Sequence, residues 1–300
     1  MSGEEAPARA SKSAASFTRV LERLESQPSR TWSIIITFYG DALIPRGKSL
    51  WLGTLLAFFK EMGVAEGVVR TAMSRLAADG WLERNRVGRN SYYRLAERGR
   101  ATFEAASSKI YSPARPATGS SLQMVFLSQR DDREQVQAVL TEVGFGSPAS
   151  GIWIAKNDMR LPEIVRQEIH LAATGSPEQL AALAARAWPL KELDNHYREF
   201  LATFGPLLAS LDDGYCPSDG EAVVARVLMV HAFRRIVLKD PNLPEDMLPS
   251  GWAGAEARGL ASALYAALAE SSERWLDANA LDEDGLLARP SLQIRTRFRS

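Results

Sequence analysis

Two groups of side chains in the first third of the chain are of the types that bind nucleic acid. One group has helical spacing and consists of Arg70, Thr71, Ser74 and Arg75. The other surrounds a short loop and consists of Arg84, Arg86, Arg89 and Asn90. Arginine donates paired hydrogen bonds to guanine or to phosphate, and hydroxyl and amide groups reach base edges and phosphates. The residue types therefore predict a DNA-binding surface in which the first group contacts base edges and the second contacts phosphates.

The residues around these groups predict a helix followed by a β-hairpin. Apolar residues recur at i, i+3, i+4 and i+7 between Val69 and Leu76, which indicates one buried helix face. Gly80 favours a helix end, because glycine adopts the left-handed conformation without penalty. The short aromatic or alternating runs at 81–84 and 91–95 flank a loop and indicate a hairpin. A helix followed directly by a basic-tipped hairpin is the order of elements in a winged helix-turn-helix.

The charge of the chain is distributed unevenly. The 36 Lys and Arg residues balance 36 Asp and Glu residues over 300 positions. Between Arg30 and Ser112 there are 13 basic residues against 7 acidic ones, a local charge of +6. Residues 112–300 carry 19 basic against 25 acidic residues, or −6. A chain without net charge thus carries positive charge in the part that would contact phosphate, as DNA-binding domains do.

Structural roles are the alternative for several of these residues. Exposed charges contribute little in most proteins, so an ordinary solvated helix with an arginine-rich turn is a second interpretation. Arg75 can pair with Asp79, four residues later on the same helix. Tyr92 and Tyr93 alternate along a strand, so we expect one of them to pack and not to contact DNA.

Composition excludes several classes of protein. With 46% hydrophobic and 24% charged residues, the chain is typical of a globular protein. No apolar run approaches the ~20 residues that span a membrane, and the polar N-terminus lacks a signal-peptide core. The single cysteine, Cys216, excludes an intramolecular disulfide, and the three histidines are too far apart for metal-ligand spacing. We therefore expect a cytoplasmic protein with no membrane contact, no metal and no cofactor.

Periodicity and breaker residues predict an α+β protein with three domains. Pro, Gly and Ser cluster at 111–120 and indicate a linker. Supporting helices are expected at 34–39 and 50–62, and a strand, a helix and a strand at 122–127, 131–143 and 151–155. The predicted boundaries are a disordered extension at 1–28, a winged helix-turn-helix domain at 29–112, a ferredoxin-like α/β domain at 121–189, a mostly helical C-terminal domain at 190–280 and a loose tail at 281–300.

Four stretches of the chain resemble one family of regulators. They are Phe38-Tyr39-Gly40-Asp41 with Leu50-Trp51-Leu52-Gly53; the run 69–76 with Asp79-Gly80-Trp81-Leu82; Gly88-Arg89 with Tyr92-Tyr93-Arg94-Leu95; and Ala187-Trp188-Pro189-Leu190 with His231-Ala232-Phe233-Arg234-Arg235-Ile236, Asp240-Pro241-Asn242-Leu243-Pro244 and Leu248-Pro249. In residue type and order they resemble PaaX-type repressors, which control aromatic-acid catabolic genes. The combined order is specific, whereas a winged helix alone occurs in many regulators.

The resemblance implies a homodimeric transcriptional repressor that binds a double-stranded operator. It also implies a small-molecule inducer of the aryl-CoA thioester class, such as phenylacetyl-CoA, that releases the protein from DNA. Candidate inducer contacts are Trp188, Tyr197, His231, Arg234, Arg235 and Trp252. The alternative is structural: the polar trio on the helix that contains His231 can pair with Asp194, Glu199 or Asp240, and isolated aromatic residues commonly belong to a core.

Two other classes of protein compete with an inducible repressor. Asp131 and Asp132 after a predicted strand resemble the acids of small ferredoxin-like metal-dependent nucleases, yet acids are also favoured at helix N-termini. The chain lacks a Gly-Xaa-Ser-Xaa-Gly elbow, a phosphate-binding Gly-Lys loop and a His-Glu-Xaa-Xaa-His segment, so we expect no enzyme and no catalytic residues. The third class is a protein that binds DNA without an effector.

Overall fold

The chain is seen in a computed structural model that describes residues 17–18, 20, 31–112, 121–290 and 297–298. Nearly all of the predicted extension at 1–28 and most of the predicted linker at 111–120 lie outside these residues. The chain divides into two compact units. The first comprises Met1–Pro113, Glu199–Leu238 and Glu256–Ser300, and the second comprises Ala114–Arg198 and Lys239–Ala255. The predicted α+β class is confirmed, while the predicted domain boundaries stay a prediction.

The N-terminal part of the first unit contains helices and a small antiparallel sheet. Its elements are α1 (Thr31–Phe38), a π-helical turn (Tyr39–Leu43), β1 (Ser49–Trp51), α2 (Leu52–Glu61), α3 (Glu66–Ala78), β2 (Leu82–Val87), β3 (Asn90–Leu95) and α4 (Glu97–Tyr111). The strand order is β1-β3-β2. The predicted helix before Gly80 and the hairpin after it are confirmed as α3 and β2–β3. The strand β1 was not predicted, because we expected its residues to begin the helix at 50–62.

The second unit is built on a four-stranded antiparallel sheet. Its elements are β4 (Ser121–Phe126), α5 (Arg133–Val143), β5 (Gly146–Ala149), β6 (Ile152–Lys156), a 3-10 turn (Glu163–Val165), β7 (Ile169–Thr174) and α6 (Pro177–Ala187), with strand order β5-β6-β4-β7. Val125 and Trp153 of the sheet pack with Val136 and Leu140 of α5 in one buried cluster. The strand β5 was not predicted from the sequence. Its Pro148 is tolerated because the strand lies at an edge and has an irregular register.

Three long helices follow in the part of the chain that was predicted to be mostly helical. They are α7 (Leu190–Asp212), α8 (Asp219–Val237) and α9 (Gly254–Asn279), and a short hairpin of β8 (Leu281–Asp282) and β9 (Gly285–Leu286) comes after them. Buried residues occur all round α8, which is therefore an internal helix of the first unit. Among the described residues, no helix is both long enough and apolar enough to cross a membrane.

The first unit contains an ion cluster, which we define as Asp41, Arg226, Glu273, Arg297 and Tyr111. Arg226 Nε donates to Asp41 Oδ2 at 2.8 Å, and both side chains are at most 1% exposed. Tyr111 and Arg297 donate to Asp41 Oδ1 at 2.8 and 2.9 Å, and Arg226 donates to Glu273 at 2.5 Å. Because burial and the neighbouring Asp41 disfavour a phenolate, the pKa of Tyr111 lies well above its ordinary value.

The ion cluster corrects the prediction of a loose tail at 281–300. Leu281 and Leu286 pair in the β8–β9 hairpin, and Phe298 is only 6% exposed, with its ring 5.4 Å from that of Tyr111. The prediction is therefore wrong for the described part of the tail. The mixture of acidic and basic residues in this segment resembled a solvated end, but Arg297 is held by the buried carboxylate of Asp41.

The π-helical turn brings backbone carbonyl groups to the same arginine side chains. Arg297 donates to the carbonyl oxygens of Gly40 and Asp41, and Arg226 also donates to the latter. Gly40 is required for packing as well, because a Cβ atom there would lie 2.4 Å from Cε1 of Phe103. At Gly40 the backbone is in close contact with the ring of Phe103, and the next residue, Asp41, carries a buried charge.

The polar face of α8 packs on α1. Arg234 donates to Thr37 Oγ1 at 2.8 Å and to Ser33 at 2.9 Å, and His231 Nδ1 lies 3.0 Å from Thr37 Oγ1. The Thr37 hydroxyl donates its one hydrogen to the Ser33 carbonyl, so His231 is the donor from Nδ1. The prediction that Asp194, Glu199 or Asp240 pairs with these side chains is wrong. The hydroxyl groups of Ser33 and Thr37, 194 to 201 residues away in sequence, are the partners of His231 and Arg234.

Replacing Asp41 with Asn should lower the free energy of unfolding by about 3–5 kcal/mol, because buried arginine side chains lose the charge that compensates them. Urea denaturation measures the loss. Glu270→Gln is the matched control, since Glu270 pairs with Arg274 at a surface site and is 90% exposed; such pairs contribute about 0–1 kcal/mol. Equal losses for the two variants would contradict a stabilising role for the buried pair.

His231 should make stability depend on pH. Burial, followed by the charges of Arg234 and Arg235, lowers the pKa of His231 from 6.5 to about 3. Between these values the unfolded chain binds a proton that the folded chain does not, so stability falls as pH falls. Between pH 7 and 5 the protein should lose about 2 kcal/mol more than its His231→Gln variant, measured by urea denaturation at each pH. Parallel profiles for both proteins would show that His231 is not buried in the neutral form.

Candidate nucleic-acid interface

The helix α3 exposes the face that the sequence assigned to base contacts. Val69, Met73 and Leu76 are buried, at 0–3% exposure, and fix the opposite face on the unit's core. Thr71 and Ser74 are exposed, and so are Arg70 and Arg75, the other two predicted base contacts. Only four residues, including Gly63 at φ +70°, separate α2 from α3. A turn of this length is typical of a helix-turn-helix.

The two arginine side chains of this face take part in weak ion pairs. Arg70 lies 3.1 Å from Glu66, and its side chain is 54% exposed. Arg75 lies 3.7 Å from Asp79, and its side chain is 69% exposed. The structural alternative for Arg75 is therefore present. It does not exclude contact with DNA, because exposed pairs of this kind contribute only about 0.3–0.5 kcal/mol and exchange readily.

The hairpin β2–β3, which we call the arginine hairpin, is exposed from residue 83 to residue 90. Its two-residue loop begins at Gly88, whose φ of +60° suits the first position of such a loop. Arg84 donates to Ser91 Oγ at 2.8 Å, and Arg86 donates to the Gly88 carbonyl at 3.3 Å. These contacts spread the guanidinium groups along the hairpin, and Arg89 and Asn90 are exposed at its end.

Both tyrosines of β3 are buried, whereas the sequence predicted packing for one of them. Tyr93 is 4% exposed, and its carbonyl accepts a hydrogen bond from the hydroxyl of Tyr39 at 3.2 Å. Tyr92, on the opposite face of the sheet, is 8% exposed. Alternation separates two faces, but it predicts exposure only where one face meets solvent. At Tyr92 and Tyr93 both faces are covered.

The structure distributes the six predicted inducer contacts over the two units. In the second unit, the rings of Tyr197 and Trp252 lie 5.6 Å apart, and Tyr197 donates to Asp240 at 2.7 Å. Trp188 packs elsewhere in that unit and donates to the Gly144 carbonyl at 3.2 Å. In the first unit, His231 and Arg234 are engaged with α1, and Arg235 is exposed. These contacts agree with the structural alternative for five of the six residues.

One of the two acids that suggested a nuclease is held in an ion pair with arginine. Asp132 pairs with Arg130, and the hydrogen bond from Arg130 is the main cause that lowers the pKa of Asp132. Arg130 also lies 3.1 Å from Glu168. Within the described ranges, no group of three or more His, Cys, Asp or Glu side chains is placed to hold a metal ion. Asp132 is thus engaged in an ion pair within the second unit.

Comparisons with known proteins match both halves of the chain. A family model described as PaaX-like protein matches residues 30–99, and one described as PaaX-like protein C-terminal domain matches residues 188–278. The transcriptional repressor PaaX of Escherichia coli (strain K12) is 32% identical over 299 residues, which cover 94% of each chain. The solved structure of an uncharacterized protein from Mycobacterium tuberculosis covers 74% of this chain and 89% of that chain, at 22% identity and a TM-score of 0.50. The last likeness concerns the fold alone, whereas the others show that the chain belongs to the PaaX family.

Proposed function

We propose that the protein is a sequence-specific transcriptional repressor of an aromatic-acid catabolic operon. The observation that carries this proposal is the exposure of two arginine-bearing elements, α3 and the arginine hairpin, on one buried support. The relative from Escherichia coli is named a transcriptional repressor. The order α2, short turn, α3, hairpin, with β1 completing the sheet, supports a winged helix-turn-helix. The strand order of the second unit supports a ferredoxin-like domain.

The helix α3 would enter the major groove of the operator. Arg70 and Arg75 would each donate two hydrogen bonds to a guanine, which discriminates against other bases by about 1–3 kcal/mol. Thr71 and Ser74 would contact base edges or phosphates beside them. The exposed arginine hairpin would follow the DNA backbone, where Arg84, Arg86, Arg89 and Asn90 would bind phosphates. Affinity would then depend on base sequence through α3 and on salt mainly through the hairpin.

The protein would act as a homodimer, because two copies of α3 can contact two half-sites one helical turn apart. An aryl-CoA thioester would release it from DNA. Such an inducer works only if it binds the DNA-incompetent dimer more tightly than the competent one. Of the predicted inducer contacts, Arg235 has the exposed charge that suits a thioester's phosphates.

Arginine substitutions should separate base contacts from phosphate contacts. Arg70→Ala or Arg75→Ala should weaken binding to the operator about 10–100-fold and binding to scrambled DNA far less. Arg84→Ala and Arg86→Ala should weaken both alike and lower the slope of log affinity against log salt by about 1 each. Fluorescence anisotropy with DNA from the protein's own upstream region measures these affinities.

Arg100→Ala is the matched control, because Arg100 is an exposed arginine of α4 that pairs with Glu97 at 2.8 Å. It should leave operator affinity within about twofold. If the control weakened binding as much as Arg70→Ala, the effect would reflect general charge and not contact by α3.

The inducer proposal has its own test. Phenylacetyl-CoA should lower operator affinity at least about tenfold, a coupling of about 1.4 kcal/mol, while phenylacetate and free CoA should not. A panel of aryl-CoA thioesters in the same anisotropy assay measures the coupling. Operator affinity that no thioester changes would leave a DNA-binding protein without an effector of this class.

A further inference from the structure

The β1-β3-β2 sheet has one face that does not belong to the core beneath it. Directly paired residues of an antiparallel sheet point to the same face, and successive residues alternate. Leu50, Tyr93, Leu82 and Leu95 share one face and are all buried. The residues of the opposite, outer face are Ser49, Trp51, Glu83, Asn85, Val87, Asn90, Tyr92 and Arg94. The arginine hairpin is part of this sheet, so whatever lies on the outer face can fix the hairpin's position.

The hairpin β8–β9, which we call the acidic hairpin, contacts this outer face. Its loop residue Glu283 accepts hydrogen bonds at the same oxygen, Oε1, from Ser49 Oγ at 3.0 Å and from Asn85 Nδ2 at 3.2 Å. Ser49 belongs to β1 and Asn85 to β2, which are the two outer strands of the sheet. One carboxylate oxygen therefore links the outer strands across β3. Tyr92, between them in the register, is only 8% exposed.

The acidic hairpin is itself anchored to the core of the unit. The backbone N–H of Leu281 donates to Thr54 Oγ1 at 3.3 Å, and Thr54, which is 1% exposed, donates to the Asn279 carbonyl at 2.8 Å. On the other side of the hairpin, the N–H of Leu287 donates to the Ala280 carbonyl at 2.9 Å. Glu283 thus extends from an anchored base to the exposed end of the sheet.

The loop of the acidic hairpin is ordered by its own acids. Asp282 Oδ1 accepts a hydrogen bond from the N–H of Asp284 at 2.9 Å, which shapes the turn that carries Glu283. Partial burial would raise the pKa of Glu283, but hydrogen bonds from its own backbone, Asn85 and Ser49 and the charge of Arg94 lower it. Glu283 is therefore a carboxylate at neutral pH, and charged acceptors form the stronger hydrogen bonds.

We propose that the acidic hairpin is a brace that holds the arginine hairpin in the position required for phosphate contact, with Glu283 as the positioning residue. A carboxylate this close to a DNA-binding hairpin repels phosphate, so its placement lowers affinity unless it also orders the hairpin. Because the brace already orders the arginine hairpin in the free protein, less conformational entropy is lost when the hairpin binds DNA. The consequence for DNA rests on the proposed function, whereas the bracing itself does not.

Hydrogen exchange in the DNA-free protein tests the brace directly. Glu283→Ala should speed the exchange of backbone amides at 84–91 about three- to tenfold, while amides of α3 exchange as before. Glu283→Gln keeps an acceptor oxygen and should restore most of the protection. Asp284→Asn removes a charge from the same loop but leaves the carboxylate of Glu283 in place, so it should not change the exchange rates of the amides at 84–91. Unchanged exchange in Glu283→Ala would overturn the brace.

DNA affinity then tests what the brace is for. Glu283→Ala should weaken binding to upstream DNA three- to tenfold, but should cause no further loss in a protein that already carries Arg84→Ala and Arg86→Ala. Tighter binding by Glu283→Ala, matched by Asp284→Asn, would show that the acids only repel phosphate and would overturn the positioning role. If the unmodified protein bound no DNA, the proposed function would fail, while the exchange result would still decide the brace.

Discussion

The first unit depends on one buried carboxylate. Asp41 balances Arg226 and Arg297 and accepts the hydroxyl of Tyr111, which brings the π-helical turn together with α4, α8 and the C-terminal segment. Arg226 is 185 residues away from Asp41 in sequence. A buried arginine without such a partner is strongly destabilising, so segments this distant are held to one arrangement. The support beneath α3 is fixed by the same requirement.

The chain uses arginine in two physically different ways. Arg226 is buried in an ion pair with Asp41, and Arg46 in one with Glu273. Because these side chains are removed from water, losing either partner carboxylate would be costly, and the pairs hold the fold together. Arg70 and Arg75 form ion pairs with exposed neighbours on the same helix. Breaking such a pair costs little free energy, and a hydrogen bond to phosphate or guanine offsets that cost. The same distinction explains the polar residues of α8: Arg234, bonded to Ser33 and Thr37, belongs to the first class.

Sequence patterns predicted the elements whose cause is local. The spacing from Val69 to Leu76 predicted α3, and the runs beside Gly88 predicted the arginine hairpin. The mostly helical character of residues 190–280 was predicted as well. What the sequence could not predict depends on distant partners. Three such interactions form only once the chain has folded. Arg297 pairs with Asp41, Glu283 accepts hydrogen bonds from Ser49 and Asn85, and β5 pairs with β6. The exposure of the predicted DNA contacts could be predicted, whereas the brace on the hairpin could not.

The most direct test of the account is the ratio of affinities of the intact protein for its upstream DNA and for a scrambled duplex, measured by anisotropy over a range of salt concentrations. We predict that the protein binds upstream DNA at least about 10³-fold more tightly than the scrambled duplex, and that both affinities fall steeply as salt rises. Equal affinity for the two duplexes would contradict base contact by α3. Salt-independent binding would contradict phosphate contact by the arginine hairpin.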